Sequence, residues 1–148
     1  MFDAKYNAMD IAKYVLWYCE KKNNFAISNL KLQKILYYIQ GRYVARYGEP
    51  LFDDIIEAWD YGPVVPEVYF SYNDYGNRAI LGEKLDDINI IDEYDREFIN
   101  EITKPMIKKD VWKIVKQTHS EDPWKYSYAI GRNEEISIWD MEEWFKEH

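Results

Sequence analysis

Residues 30–41 read Leu30-Lys31-Leu32-Gln33-Lys34-Ile35-Leu36-Tyr37-Tyr38-Ile39-Gln40-Gly41. Apolar residues recur here every three or four positions, which is the spacing of a helix that buries one face. Ser28 lies at an N-cap position, and Gly48 lies where a left-handed residue ends a helix. The stretch therefore predicts a helix over residues 29–47. Its buried face is expected to carry Leu32, Ile35, Leu36, Ile39 and Tyr43, with Lys31, Lys34, Gln40 and Arg42 off that face.

A rigid aromatic corner follows this helix. Residues 51–60 have no helical period and predict an extended segment, and the corner reads Trp59-Asp60-Tyr61-Gly62-Pro63-Val64-Val65. Gly62-Pro63 predicts a turn. Pro66 fits the first position of a further helix, over residues 66–75, because proline presets φ and has no N–H to leave unpaired.

The rest of the chain continues the helical pattern. Residues 7–22 predict a helix, residues 77–91 a loop and residues 134–136 an extended segment. Four more helices are predicted to begin at or after Asp92, Asp110, Pro123 and Ser137. The last is expected to bury Trp139 or Met141 with Trp144 and Phe145. The fold class is mainly α, a compact single-domain bundle of about six or seven helices over residues 1–148, with at most one small pair of short strands.

Composition limits the classes of partner. The chain has 148 residues, with 27 acidic and 19 basic side chains and a formal net charge of −8. Phosphate backbones repel such a chain, so nucleic acid is not an expected partner, whereas a basic protein suits it. The single cysteine, Cys19, cannot form an intramolecular disulfide, which fits a reducing compartment. No secretion signal and no membrane-spanning run is recognised, so a cytoplasmic protein without a membrane partner is expected.

The residue types give little support to catalysis. No cluster has metal-ligand spacing and no glycine-rich phosphate loop occurs, so neither a metal nor a cofactor is expected. His119 is the one candidate catalytic imidazole, because Glu121 and Asp122 follow it. The alternative is a histidine that bonds to terminal carbonyls at the end of a helix. Glu57 and Asp60 are three apart on an extended segment, so they are expected to point to opposite faces.

Two segments are candidates for recognition. A basic strip could run along residues 29–47, and a solvated face, a protein-binding face and a nucleic-acid-binding face all remain open for it. It would comprise Lys31, Lys34, Arg42 and Arg46, with Tyr37 and Tyr38 between them. The aromatic corner is the stronger candidate, because preorganised Trp and Tyr side chains favour interface hot spots. The alternative is that Trp59 and Val64 seat the corner in the core.

Four motifs in this order carry a family resemblance. They are Leu32-Gln33-Lys34 with Tyr37-Tyr38 and Gln40-Gly41, then Pro50-Leu51-Phe52, then Glu57-Ala58-Trp59 with Tyr61-Gly62-Pro63-Val64, then Thr118-His119 with Asp122-Pro123-Trp124. Together they resemble the Panacea domain, the antitoxin domain of SocA-like and GepA-like proteins. The resemblance extends over nearly the whole chain.

The resemblance implies a non-enzymatic antitoxin that neutralises a cognate toxin by direct protein–protein binding. Toxins of this family are usually encoded beside their antitoxins, and GepA-like members are associated with phages or mobile elements. The expected partner-binding residues are Tyr37, Tyr38, Arg42, Trp59, Tyr61, Gly62, Pro63 and Trp124. Two alternatives remain open: an adaptor that delivers a toxin to a protease, as in SocA-like members, and a small hydrolase-like enzyme that uses His119.

Overall fold

A central helix organises the protein, whose computed structural model describes residues 4–148. This helix, α2, runs over Asn29–Tyr47. The Ser28 hydroxyl accepts the Lys31 backbone N–H at its start, and Gly48 ends it in the left-handed conformation at φ +76°. The bounds predicted from the capping residues are confirmed, because both caps satisfy backbone groups that the helix leaves unpaired.

Six further helices complete the mainly α fold, which is confirmed. They are α1 (Ala8–Trp17, continued by a π-helical turn over Tyr18–Lys22), α3 (Pro66–Ser71), α4 (Glu93–Thr103), α5 (Val111–His119), α6 (Asp122–Ile130) and α7 (Ile138–Glu147). Helices α1, α4, α5 and α7 all pack against α2. The predicted loop over residues 77–91 contains a short 3₁₀ turn at Ile88–Ile90 and an isolated β-bridge between Ala79 and Ser28.

A small antiparallel sheet covers one end of the helices. Its strands are β1 (Glu57–Trp59), β2 (Gly62–Val64) and β3 (Glu134–Glu135), in the order β2-β1-β3. The sheet thus has a third strand beyond the predicted pair. Gly62 and Pro63 belong to β2, so the tight turn lies at Asp60 and Tyr61 and not at Gly62-Pro63 as predicted.

The prediction that four polar residues lie off the buried face of α2 is wrong for three of them. The four are Lys31, Lys34, Gln40 and Arg42. Lys34 is 0% exposed, Gln40 2% and Lys31 8%. The helix is surrounded on several sides, so the spacing of its apolar residues marks only part of its buried surface. Arg42 is half-buried and Arg46 is exposed, and the predicted basic strip is therefore not a continuous surface.

Two smaller expectations change. Helix α3 ends at Ser71, and a separate 3₁₀ turn covers Asn73–Tyr75. Asp110 precedes α5 but its side chain makes no capping hydrogen bond. In α7, Met141 and Phe145 are buried and Trp144 is half-buried, which agrees with the prediction, and Trp139 is 62% exposed. Within residues 4–148, no helix is long and apolar enough to cross a membrane.

Candidate functional site

Two buried glutamines of α2 hold the irregular segments that lead into and out of the sheet. Gln40 Oε1 accepts the Leu51 N–H at 2.8 Å, and its Nε2 donates to the Phe52 carbonyl at 2.7 Å. Gln33 Oε1 accepts the Val65 N–H at 2.9 Å, immediately before α3. Because buried backbone groups need partners, each amide side chain fixes a segment that makes few bonds of its own.

The Lys34 side chain of α2 holds the aromatic corner through a hydrogen bond. Its Nζ donates to the Pro63 carbonyl at 2.7 Å, and the side chain is fully buried. Burial lowers the pKa of Lys34 to about 7, because a charged ammonium is costly in a dry environment. A Cβ on Gly62, which has φ +106°, would lie 2.9 Å from Lys34 Cε and 2.7 Å from Thr118 Oγ1. Only glycine therefore lets the corner approach α2 and α5 this closely.

A buried carboxylate joins α2 to the start of α6. Glu121 accepts hydrogen bonds from the Tyr37 and Tyr38 hydroxyls, each at 2.9 Å, and a longer one of 3.4 Å from Gln117. Burial raises the pKa of the Glu121 carboxyl, although the two phenol hydrogen bonds oppose that shift. Burial also raises the pKa of both tyrosines. The three groups thus form a closed hydrogen-bonded cluster in which each polar atom has a partner.

A glycine allows α7 to dock on α2. A Cβ on Gly41 would lie 2.2 Å from the Phe145 ring, so the ring occupies the space above this glycine. The ring also meets Tyr37 and Tyr38 edge-on, with centroids 5.6 and 5.8 Å apart. The Arg42 guanidinium lies 5.1 Å from the centroid of the same ring.

Stacked rings support the turn between β1 and β2. His119, Trp124 and Tyr128 stack in series, with centroid separations of 4.1 and 4.4 Å. His119 Nε2 lies 3.0 Å from the Asp60 carbonyl, and Trp124 Nε1 donates to the Trp59 carbonyl at 2.8 Å. The Asp60 carboxylate accepts the Tyr128 hydroxyl at 2.6 Å and pairs with Arg132 at 2.7 Å. These bonds hold the turn rigidly at the surface.

The tip of this turn exposes an aromatic pair. Tyr61 is 58% exposed and meets Trp112 of α5 edge-on at a centroid distance of 5.2 Å, and Trp112 itself is 54% exposed. Large exposed aromatics on a rigid support lose little conformational entropy on binding. Trp112 was not among the predicted site residues. Its position off the apolar stripe of α5, which consists of Val111, Ile114, Val115 and Thr118, could have identified it.

The eight predicted partner-binding residues divide into buried and accessible groups. Tyr37, Tyr38, Gly62 and Pro63 are buried. Arg42, Trp59 and Trp124 are half-buried, and Tyr61 is exposed. A contact surface drawn from this set is therefore centred on Tyr61, with the buried members as its support. Sequence reasoning missed the supporting roles of Gln33, Lys34, Gln40 and Glu121, because no local signal identifies their distant partners.

His119 ends α5, as its alternative interpretation expected, and its ring nitrogen contacts a backbone carbonyl. Glu121, its expected acid–base partner, instead bonds with the two tyrosines. Burial lowers the pKa of His119, which favours the neutral ring. In the described part of the chain, no three His, Cys, Asp or Glu side chains are placed to hold a metal ion.

The chain belongs to the SocA-like antitoxin family with a Panacea domain, whose family model matches residues 32–125. The match begins in α2 and ends in α6, so it contains both glutamines, Lys34, the tyrosine pair and Glu121. A curated relative, "Antitoxin SocA" of Caulobacter vibrioides (strain NA1000 / CB15N), is 37% identical over 109 residues, in an alignment that covers 66% of this chain. The chain spans 58% of that relative's length. A comparison with solved structures finds no significant match.

Proposed function

We propose that this protein is the antitoxin of a toxin–antitoxin pair and neutralises its cognate toxin by direct protein–protein binding. The observation that carries the proposal is the family match over residues 32–125, which includes most of α2, β1, β2 and the turn between these strands. A non-enzymatic role and a cytoplasmic location are part of the proposal. The location rests on the single cysteine, Cys19, which is buried and has no second cysteine to pair with.

The proposed contact surface is centred on the exposed pair Tyr61 and Trp112. Three features suit it to binding: a large exposed aromatic area, a turn fixed by Asp60 and Lys34, and half-buried Arg42, which lines a cleft with Ile114 and Gln117 of α5. Aromatic and arginine side chains are enriched among residues that dominate binding energies. The buried residues Tyr37 and Tyr38 contribute by fixing α5 and α6 through Glu121.

Co-expression with the neighbouring gene tests the proposal. The double substitution Tyr61→Ala with Arg42→Ala should weaken the complex at least tenfold, about 1.4 kcal/mol or more, and impair growth rescue. Tyr94→Ala with Arg46→Ala is the matched control, since it removes the same residue types from an exposed part of α4 and the end of α2. Circular dichroism should show both variants folded.

The outcomes separate the alternatives. Unchanged rescue by the Tyr61 and Arg42 variant would remove this surface from the proposal. A neighbouring gene product that is harmless, or rescue without a physical complex, would contradict direct neutralisation. A toxin whose abundance falls when this protein is present would favour an adaptor that delivers it to a protease. Loss of rescue by His119→Ala with the complex intact would favour the enzymatic alternative.

A further inference from the structure

An open groove lies beside the small sheet. It consists of two adjoining sections, of about 540 and 580 Å³, that share Ile55 in their lining. The first section lies between the Pro50–Ile56 segment and the start of α7, and the second lies between β1 and α3.

Exposed apolar side chains lie along this groove. Ile55 is 48% exposed at the junction of the two sections, and Phe70 is 61% exposed at the end of α3. The Phe70 ring is held in place by Trp59 and Tyr69, with centroids 5.9 and 5.4 Å away. A fixed aromatic ring at a groove edge is a suitable anchor for a partner's apolar side chain.

The charges along the groove all have one sign. Its lining includes the carboxylates of Asp53, Asp54, Glu57, Glu67 and Glu135 and no Lys, Arg or His of the described residues. Within residues 4–148, none of the five forms a salt bridge. Asp53 accepts the backbone N–H of Ala4, and Asp54 accepts that of Ala8. The negative potential of this groove is therefore not neutralised from within the described chain.

Two of these acidic residues are direct neighbours across the sheet. Glu57 and Glu135 are direct partners in the antiparallel register of β1 and β3, so their side chains leave the same face. Like charges directly opposite each other in a sheet are destabilising. Glu57 accepts the Trp59 indole N–H at 2.8 Å, which satisfies a lone pair but does not cancel the charge. A cation bound between them would remove this repulsion.

We propose that this groove binds a basic segment of the toxin, with Lys or Arg side chains placed at the five carboxylates and an apolar side chain packed between Ile55 and Phe70. The proposal rests on the proposed antitoxin function and adds a second contact surface to the one centred on Tyr61. Charge complementarity selects this occupant, because an acidic or neutral segment would leave the carboxylates without countercharge. The net charge of −8 would also speed association with a basic partner.

Binding of the purified neighbouring gene product by isothermal titration calorimetry tests the groove. Glu57→Gln with Glu135→Gln removes two charges without changing side-chain size, and Phe70→Ala removes the anchor. The control, Glu93→Gln with Glu97→Gln, makes the same change in net charge at exposed sites on α4. Each groove variant should bind at least tenfold more weakly at about 0.1 M salt, and the charge effect should shrink at about 1 M, where screening is stronger.

The results of these binding measurements either support or overturn the groove as a binding site. Selective loss of affinity in the two groove variants, with thermal stability retained and the control unaffected, supports the groove. Equal loss in Glu93→Gln with Glu97→Gln would show that only net charge matters, which overturns it. Undiminished binding by the groove variants, with loss in the Tyr61 and Arg42 variant, overturns the groove and leaves the antitoxin proposal standing. No binding by the wild type overturns both, and a wild-type dimer that Phe70→Ala dissociates would assign the groove to a second copy.

Discussion

Replacing Lys34 with methionine should remove a pH dependence of stability that this single residue creates. Lys34 is fully buried, and its side chain donates a hydrogen bond to the Pro63 carbonyl at 2.7 Å. Methionine keeps the length and the apolar stem of the side chain but has no charge and no N–H donor. The substitution therefore separates the cost of burying the ammonium from the packing of the chain around it.

The expected size of this pH dependence follows from the lowered pKa of Lys34. Burial lowers the pKa of Lys34 from 10.5 to about 7. Between these two pH values the unfolded chain binds more protons than the folded protein, so the free energy of unfolding rises with pH. A slope approaching 1.36 kcal/mol per pH unit gives the wild type about 2 kcal/mol of added stability between pH 7 and pH 9. Lys34→Met should lack this rise.

At pH 7 two effects of the substitution oppose each other. Removing the buried charge stabilises the variant by about 4 kcal/mol, and leaving the Pro63 carbonyl without a donor destabilises it by about 1–3 kcal/mol. The difference in slope is thus more diagnostic than the absolute stability. The comparison of stabilities is limited to pH 9 and below, because Cys19 also affects stability above that pH. Burial raises the pKa of Cys19 from 9.0 to about 12, so the free energy of unfolding falls as the pH rises above 9.

Urea unfolding at pH 7, 8 and 9, followed by tryptophan fluorescence, measures the difference. Lys13→Met is the matched control, because it makes the same substitution at an exposed position of α1. Its stability should run parallel to that of the wild type. Parallel curves for Lys34→Met and the wild type would refute the reasoning, since they would mean that Lys34 releases no proton on folding in this range.

Two further substitutions test the supports of the central helix. Gly41→Ala should destabilise the protein by about 1–3 kcal/mol, because the new Cβ would clash with the buried Phe145 ring. Combining Gly41→Ala with Phe145→Leu should recover part of this stability in thermal unfolding. Glu121→Ala should cost about 2–5 kcal/mol, because the Tyr37 and Tyr38 hydroxyls lose their acceptor, whereas Glu121→Gln should cost clearly less. Equal loss for the two Glu121 variants in urea unfolding would contradict that explanation.

The helices were largely predictable because their signals are local. Three helices begin at side-chain caps, which are Ser28, Asp92 and Ser137, and α2 ends at Gly48. Each of these residues bonds to backbone groups a few positions away, and the structure confirms these roles. The aromatic corner was also predictable as a rigid element. Its turn residue was not, because the choice between Gly62-Pro63 and Asp60-Tyr61 depends on how β2 pairs with β1.

The supports of the candidate site were not predictable, since their partners lie far along the chain. Gln40 bonds with residues 11 and 12 positions away, Lys34 with one 29 away, and Tyr37 with one 84 away. A polar residue at helical spacing is expected to face water unless the partner that satisfies it is known. For the same reason, the sequence did not show that Trp112 lies beside Tyr61, or that the five carboxylates lie along one groove.

The sequence by itself determined the mainly α class, the limits of α2 and the family resemblance, because apolar period, caps and motif order are properties of neighbouring residues. Only the tertiary structure decided which polar residues are buried and which aromatics are exposed. Helices α5 and α7 and the small sheet enclose the polar side of α2, and burial is a property of what packs around a residue. The same packing leaves Tyr61, Trp112 and Phe70 at the surface, where a partner can reach them.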